Sequence, residues 1–167
     1  MAAEVVDKLK FRGGRLGYVK LSDGSMVVLR VAVIDARVRE ETSPFGVEFE
    51  VDATGGVSIY PSEKSIKEIE NKPVLEPRRA VGEGWVRVDI VDKMPAYEEV
   101  IYDDGKIGAY VIRVEIEPIM VSKNTMFKSI RGQPLYVVRW VPKVTWSKLE
   151  EKSKRGEEKV GSEVHGL

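Results

Sequence analysis

The sequence predicts a mainly β protein, a β-barrel or sandwich with one or two short helices, and three observations support this. Valine-rich segments alternate apolar with polar residues over most of the chain. The pairs Asp23-Gly24 and Asp104-Gly105 are hairpin signals, because both residue types tolerate the positive φ of tight turns. Apolar residues make up 43% of the 167 residues, which is enough for one domain with its own core.

The first half is predicted to hold strands and one short helix. Met26–Val38 is the longest apolar run, and its β-branched residues favour a strand over a helix. Ser62 before Glu63, with isoleucines three residues apart, predicts a capped amphipathic helix that ends near Asn71. The other strands predicted here lie within Val5–Leu21, with a turn at Gly13-Gly14, and at Val47–Val51 and Val57–Tyr60.

The second half repeats the strand pattern after a connector at residues 73–84, which has two prolines, two glycines and no period. Residues 122–134 lack a clear period and are predicted to form the longest loop, either a flap or a protein-contact patch around Met126, Phe127 and Ile130. Residues 147–167 are mostly charged and are expected to be helical or mobile. The strands predicted in this half are Trp85–Val91, Tyr97–Tyr102, Ile107–Val121 and Leu135–Trp146.

Three blocks of the first half match the second half in the same order. Gly17–Gly24 falls on Glu98–Gly105, and Leu29–Val33 falls on Ile112–Ile116. Upstream, Val5–Lys8 matches Ile90–Lys93. Either hairpins share a common pattern, or residues 1–146 form a single compact domain of two similar halves, about 1–72 and 85–146, each of about 75 residues. A duplication predicts that the halves pack about a pseudo-two-fold axis.

The composition excludes most kinds of catalytic site. The chain has no cysteine, and its one histidine is His165 near the C-terminus, so thiolate catalysis, sulfur-ligated zinc and a histidine base inside the fold are excluded. We expect no cofactor, no metal and no catalytic residues, although a hydrolase in which Asp35, Asp89 and Glu115 converge stays open. No apolar run is long enough for a membrane helix, so we expect a cytoplasmic protein. Few amides and many balanced charges predict a thermophilic source.

The charge pattern predicts where a partner binds. No acid lies between Glu117 and Glu150, while cations and aromatic rings alternate there, and a smaller mixture lies near Gly13. Cations bind phosphates and rings stack on bases, so we expect a non-enzymatic module that binds single-stranded nucleic acid, RNA or another polyanion. The alternative is a structural or assembly protein that pairs with itself or with a protein partner through its strands and the 122–134 loop. The predicted site residues are Lys123, Phe127, Lys128, Arg131, Arg139, Lys143, Trp146, Arg12 and Arg15.

Overall fold

The computed structural model describes residues 7–76 and 82–149. It confirms a mainly β protein, built from two antiparallel sheets that share a core. The elements that lie wholly within these residues are β1 (Leu9–Arg15), β2 (Gly17–Leu21), β3 (Met26–Glu40), β4 (Glu48–Tyr60), α1 (Glu63–Ile69), β5 (Trp85–Val88), β6 (Ile90–Met94), β7 (Ala96–Tyr102), β8 (Tyr110–Lys128) and β9 (Pro134–Lys148).

Each sheet is organised around one long strand. In the five-stranded sheet, β8 pairs with β9 along one edge and with β7 and then β5 along the other, and β1 pairs with the far side of β7. In the four-stranded sheet the order is β4-β3-β2-β6. Because side chains alternate between faces along a strand, each sheet turns one set of side chains toward the core and the other set outward.

The chain passes between the two sheets at two places that lie side by side. β1 continues into β2 through Leu16, and β6 continues into β7 through Pro95. The backbones are close together at this crossing, since a Cβ on Gly17 would lie 2.5 Å from both the backbone nitrogen of Ala96 and the carbonyl oxygen of Met94. Glycine is therefore required at position 17 by close approach.

The core consists of two adjoining clusters of buried side chains. One lies between the sheets and includes Val19, Leu29 and Val114, all at most 1% exposed. The other is aromatic, and in it the Phe49 ring makes edge contacts with Tyr102 and Trp146, at centroid distances of 5.0 and 5.4 Å. Burial of these alternating apolar residues stabilises both sheets by roughly 1.5–3 kcal/mol for each large side chain.

The predicted helix is confirmed as α1, with Ser62 as its N-cap. The Ser62 hydroxyl accepts a hydrogen bond from the backbone N–H of Ser65 at 3.2 Å, which satisfies one of the unpaired donors at the start of the helix. Of the other sequence-based expectations, Val5-Val6, part of the connector and the charged tail beyond residue 149 lie outside the described residues.

The loop predicted over residues 122–134 is wrong for most of its length. Strand β8 continues to Lys128 and β9 begins at Pro134, so the turn covers residues 129–133. The hydrogen-bond partners of this part of β8 come from distant segments: the Thr125 N–H donates to the Gly84 carbonyl, and the Lys128 N–H donates to the Pro73 carbonyl. A register shift between Lys123 and Lys128 disturbs the alternation, which explains why the sequence shows no clear period there.

Among the described residues, no helix has the length and apolar character needed to span a bilayer. The cytoplasmic location expected from the sequence stays a prediction.

Candidate functional site

Charge is distributed unequally between the two sheets. The strands of the four-stranded sheet carry five cations and six acids, so they are close to neutral. Those of the five-stranded sheet carry ten cations and four acids. A chain whose formal net charge is zero therefore concentrates positive charge on one of its sheets.

Most of this excess lies on the outer face of the five-stranded sheet, which we call the basic face. Strand register defines it: Glu99 lies opposite Arg113, and Glu115 lies opposite Lys143, while the residues between them face the core. Lys93 reaches this face from β6, where its ammonium is 3.5 Å from Glu117. The described charged residues of the basic face are Lys10, Arg12, Arg15, Arg87, Lys93, Arg113, Arg139 and Lys143, with the acids Glu99, Glu115 and Glu117.

The three acids are shared among several cations. Glu99 lies 3.0 Å from Arg113 and 3.6 Å from Arg12. Glu117 lies 2.6 Å from Lys143, whose hydrogen bond holds the pKa of this carboxyl below its usual value. Ion pairs at an exposed surface contribute little stability, but they fix side chains in place. Since the acids are outnumbered, the basic face keeps a positive potential after every pair is made.

Four cations on the basic face have no acidic partner among residues 7–76 and 82–149. Lys10, Arg87 and Arg139 are exposed, and no hydrogen bond or ion pair of their side chains is found there. Arg15 donates a hydrogen bond to the Pro95 carbonyl at 3.1 Å and lies over the Tyr97 ring, 5.0 Å from its centroid. None of these four charges is neutralised by a described acid, so all four are available to an anionic ligand.

The sequence-predicted site residues do not form one patch. Arg12, Arg15, Arg139 and Lys143 lie on the basic face, whereas Lys123 projects to the other side of its sheet. Its ammonium lies 3.1 Å from Glu68 and 3.3 Å from Asp23, so two carboxylates already neutralise it.

Lys123 belongs to a polar cluster that joins β9, α1 and the turn before β3. The Tyr136 hydroxyl donates to Asp23 at 2.6 Å and lies 2.9 Å from the Ser25 hydroxyl and 3.0 Å from that of Ser65. Burial alone would raise the pKa of Asp23, but the bond from Tyr136 and the further bonds from Ser25 and Ser65 outweigh it and lower the pKa to about 2. The cluster is internally satisfied, and it positions the helix.

The rings expected to stack on bases lie inward. Phe127 is 5% exposed, and the half-buried Trp146 donates its indole N–H to the Val47 carbonyl at 2.9 Å. The Lys128 ammonium donates to the Glu70 carbonyl at 2.8 Å, and Arg131 lies exposed in the turn between β8 and β9. With both rings packed inside, neither offers a free face for base stacking.

A cavity of about 520 Å³ opens between β1, β3 and β7. Its walls are mainly apolar, and two carboxylates line it. Glu98 accepts a hydrogen bond from the Val33 N–H, and Asp35 lies 3.1 Å from Lys8.

Glu115 lies on the basic face and Asp89 lies at the link between β5 and β6, so the three carboxylates of the hydrolase hypothesis lie apart. Within the described ranges, no group of three His, Cys, Asp or Glu residues could hold a metal ion.

Sequence reasoning missed several members of the basic face. Arg113 lies between the buried residues Ile112 and Val114 in β8, and Arg87 lies between Val86 and Val88 in β5. This alternation was a usable signal for exposure. It could not show that β5 and β1 lie in one sheet with β8 and β9, because pairing between distant strands is decided by the fold.

Comparisons with known proteins add no relative, since no protein-family model, no curated protein and no solved structure matches this chain.

Proposed function

We propose that this protein is a non-catalytic module that binds a polyanion, foremost nucleic acid, on the basic face. The observation that supports this most is the excess of cations over acids on one outer sheet face of a chain with zero net charge. Such a face attracts phosphates and releases their counterions, which is the main source of sequence-independent affinity. The proposed site is therefore the basic face, whereas the sequence analysis placed the centre of the site at residues 123–148.

The test is a fluorescence-polarisation titration with labelled mixed-sequence DNA at two salt concentrations. We expect affinity to fall by about a hundredfold or more between about 50 and about 200 mM salt, as several phosphate contacts require. The variant Arg87→Gln/Arg139→Gln removes two cations that have no described partner and should lower the salt slope by about two. Absence of binding at low salt would reject the proposal.

The matched control removes two exposed cations elsewhere. Lys20 lies on the outer face of the four-stranded sheet, and Lys64 lies on α1. The variant Lys20→Gln/Lys64→Gln changes the net charge by the same amount and should keep the slope of the unmodified protein. Equal losses in both double variants would mean that net charge, rather than the basic face, drives binding.

A second candidate function is assembly through protein contacts. Phe45 and Ile130 are each 88% exposed at the turns that follow β3 and β8. In the described part of the chain, β4 pairs with β3 alone and β9 with β8 alone, so both strands have a free edge. Sedimentation of the protein and of Phe45→Ser/Ile130→Ser tests this candidate, and a mass that stays monomeric over a wide concentration range contradicts it.

We also propose that the chain is an internal duplication with a pseudo-two-fold axis. The pairing scheme supports this: β2 joins β3 and β3 joins β4, as β7 joins β8 and β8 joins β9, while β1 joins β7 as β6 joins β2. Register shifts follow Val33 in β3 and Pro118 in β8, which are 85 positions apart. Ile34 and Ile119 are the residues at these shifts, and deleting either one should lower the free energy of unfolding by a similar amount. A large loss in the free energy of unfolding for only one of the two deletions would contradict the pseudo-two-fold axis.

A thermophilic origin is a further proposal. It is supported by chains of ion pairs, such as Arg12–Glu99–Arg113 on the basic face, which become more favourable as temperature rises. A melting temperature above about 90 °C is expected, and one near about 55 °C would contradict it.

A further inference from the structure

Five of the eight cations of the basic face lie in two rows, one on β1 and one on β9, whereas Arg113 on β8, Arg87 on β5 and Lys93 on β6 lie outside these rows. Across the sheet the strand order is β1-β7-β8-β9. The β1 row consists of Lys10, Arg12 and Arg15, and the β9 row consists of Arg139 and Lys143. All three acids project from the middle strands β7 and β8. Because Arg113 and Lys93 pair with these acids, the region between the rows is close to neutral, and the excess of positive charge is concentrated along the two rows.

The separation of the two rows follows from sheet geometry. Arg15 lies opposite Tyr97, Tyr97 opposite Glu115, and Glu115 opposite Lys143, so one row of residues crosses all four strands. Three strand spacings of about 4.8 Å place the β1 and β9 rows about 14 Å apart at the backbone. The major groove of duplex DNA, with a phosphate backbone on either side, is about 12 Å wide.

The row of residues that joins Arg15 to Lys143 offers no free ring for base stacking. Tyr97 is the one aromatic residue of the row that joins Arg15 to Lys143. The Arg113 guanidinium lies 3.7 Å from the centroid of its ring, and the Arg15 guanidinium lies 5.0 Å away. Hydrogen bonds hold both arginines, Arg113 to Glu99 at 3.0 Å and Arg15 to the Pro95 carbonyl at 3.1 Å. A base would have to displace a guanidinium to stack there, and each such contact contributes about 0.5–2 kcal/mol.

We propose, on the premise that the basic face binds nucleic acid, that its ligand is a duplex held by its two phosphate backbones without base contacts. A single strand supplies one line of phosphates and engages one row, whereas a duplex engages both. Duplex DNA also carries one charge per roughly 1.7 Å of axis, which is about twice the density of a single strand. Recognition of this kind is independent of sequence, because the phosphates carry no base information.

The experiment compares one labelled DNA duplex with each of its separated strands, at equal length and low salt. We expect the duplex to bind about tenfold tighter and to show the steeper salt dependence. The variants Arg12→Gln/Arg15→Gln and Arg139→Gln/Lys143→Gln each remove two charges from one row. Either should weaken duplex binding strongly, and together they should abolish the preference for the duplex.

The outcomes separate the two proposals. If neither duplex nor single strand binds at low salt, the function proposed for the basic face fails and this inference fails with it. If a single strand binds as tightly as the duplex or tighter, or if affinity depends on base composition, nucleic-acid binding stands and the two-row arrangement is wrong. Thermal unfolding of each variant checks that it is folded, and Lys20→Gln/Lys64→Gln should keep the duplex preference.

Discussion

At the scale of residues, Tyr136 shows how a half-buried ring of β9 becomes part of a polar network. Its hydroxyl contacts Asp23 and Ser25 in the turn before β3 and Ser65 in α1. Tyr136→Phe leaves these groups short of one partner, so we expect a loss of about 1–3 kcal/mol in the free energy of unfolding, measured by urea titration. Tyr60→Phe is the control, since Tyr60 is 56% exposed and should cost nothing measurable.

The same network makes the free energy of unfolding depend on pH in the acid range. The folded pKa of Asp23 is about 2, below its ordinary value of 3.8, because the bonds from Tyr136, Ser25 and Ser65 outweigh its burial. A lowered folded pKa means that this contribution is complete above pH 3.8 and is lost as the pH falls toward 2. In Asp23→Asn, the dependence of the unfolding free energy on pH should flatten in that window. An unchanged profile would show that other carboxylates dominate acid unfolding.

At the scale of elements, the crossing between sheets depends on Gly17. An added Cβ would lie within 3 Å of backbone atoms at residues 94–96, which cannot move aside as a flexible side chain can. We expect Gly17→Ala to destabilise the protein by about 1–3 kcal/mol or more. Gly13→Ala is a matched control in the adjoining strand, since a Cβ there meets nothing within 4 Å. Thermal unfolding of both variants measures the difference, and equal melting temperatures would contradict it.

Local patterns predicted some elements correctly, but the turn predicted at Gly13-Gly14 is wrong, because β1 continues through both glycines and pairs with β7 there. Helix α1 follows from its cap and its isoleucine spacing, and the hairpin before β3 follows from Asp23-Gly24. Residues 122–128 form a strand because Gly84 and Pro73 supply backbone partners from far along the chain. No local pattern encodes such partners, so the sequence indicated a loop.

At the scale of the whole molecule, binding to a polyanion depends more on where the charges lie than on the net charge. The sequence pI is 6.6, so near pH 7 an evenly charged protein of this composition would hardly bind a cation exchanger or heparin. We expect this protein to bind heparin at low salt and to elute as salt rises, because the basic face acts locally. Arg87→Gln/Arg139→Gln should elute earlier, while Lys20→Gln/Lys64→Gln should not. Flow-through of the unmodified protein at low salt would contradict an effective basic face.

The amino-acid order by itself determined the β class, the helix cap, the turn at Asp23-Gly24 and the alternation of cations along strands, since each of these depends on neighbours within a few residues. Tertiary structure alone decided which rings face inward, which acids neutralise Lys123, and that β1, β5, β8 and β9 contribute cations to one face. The physical reason is that the outer face includes strands that are distant in the sequence, such as β1 and β7, whose paired residues Arg15 and Tyr97 lie 82 positions apart. Their register and neighbours follow from burying both sheets against one core.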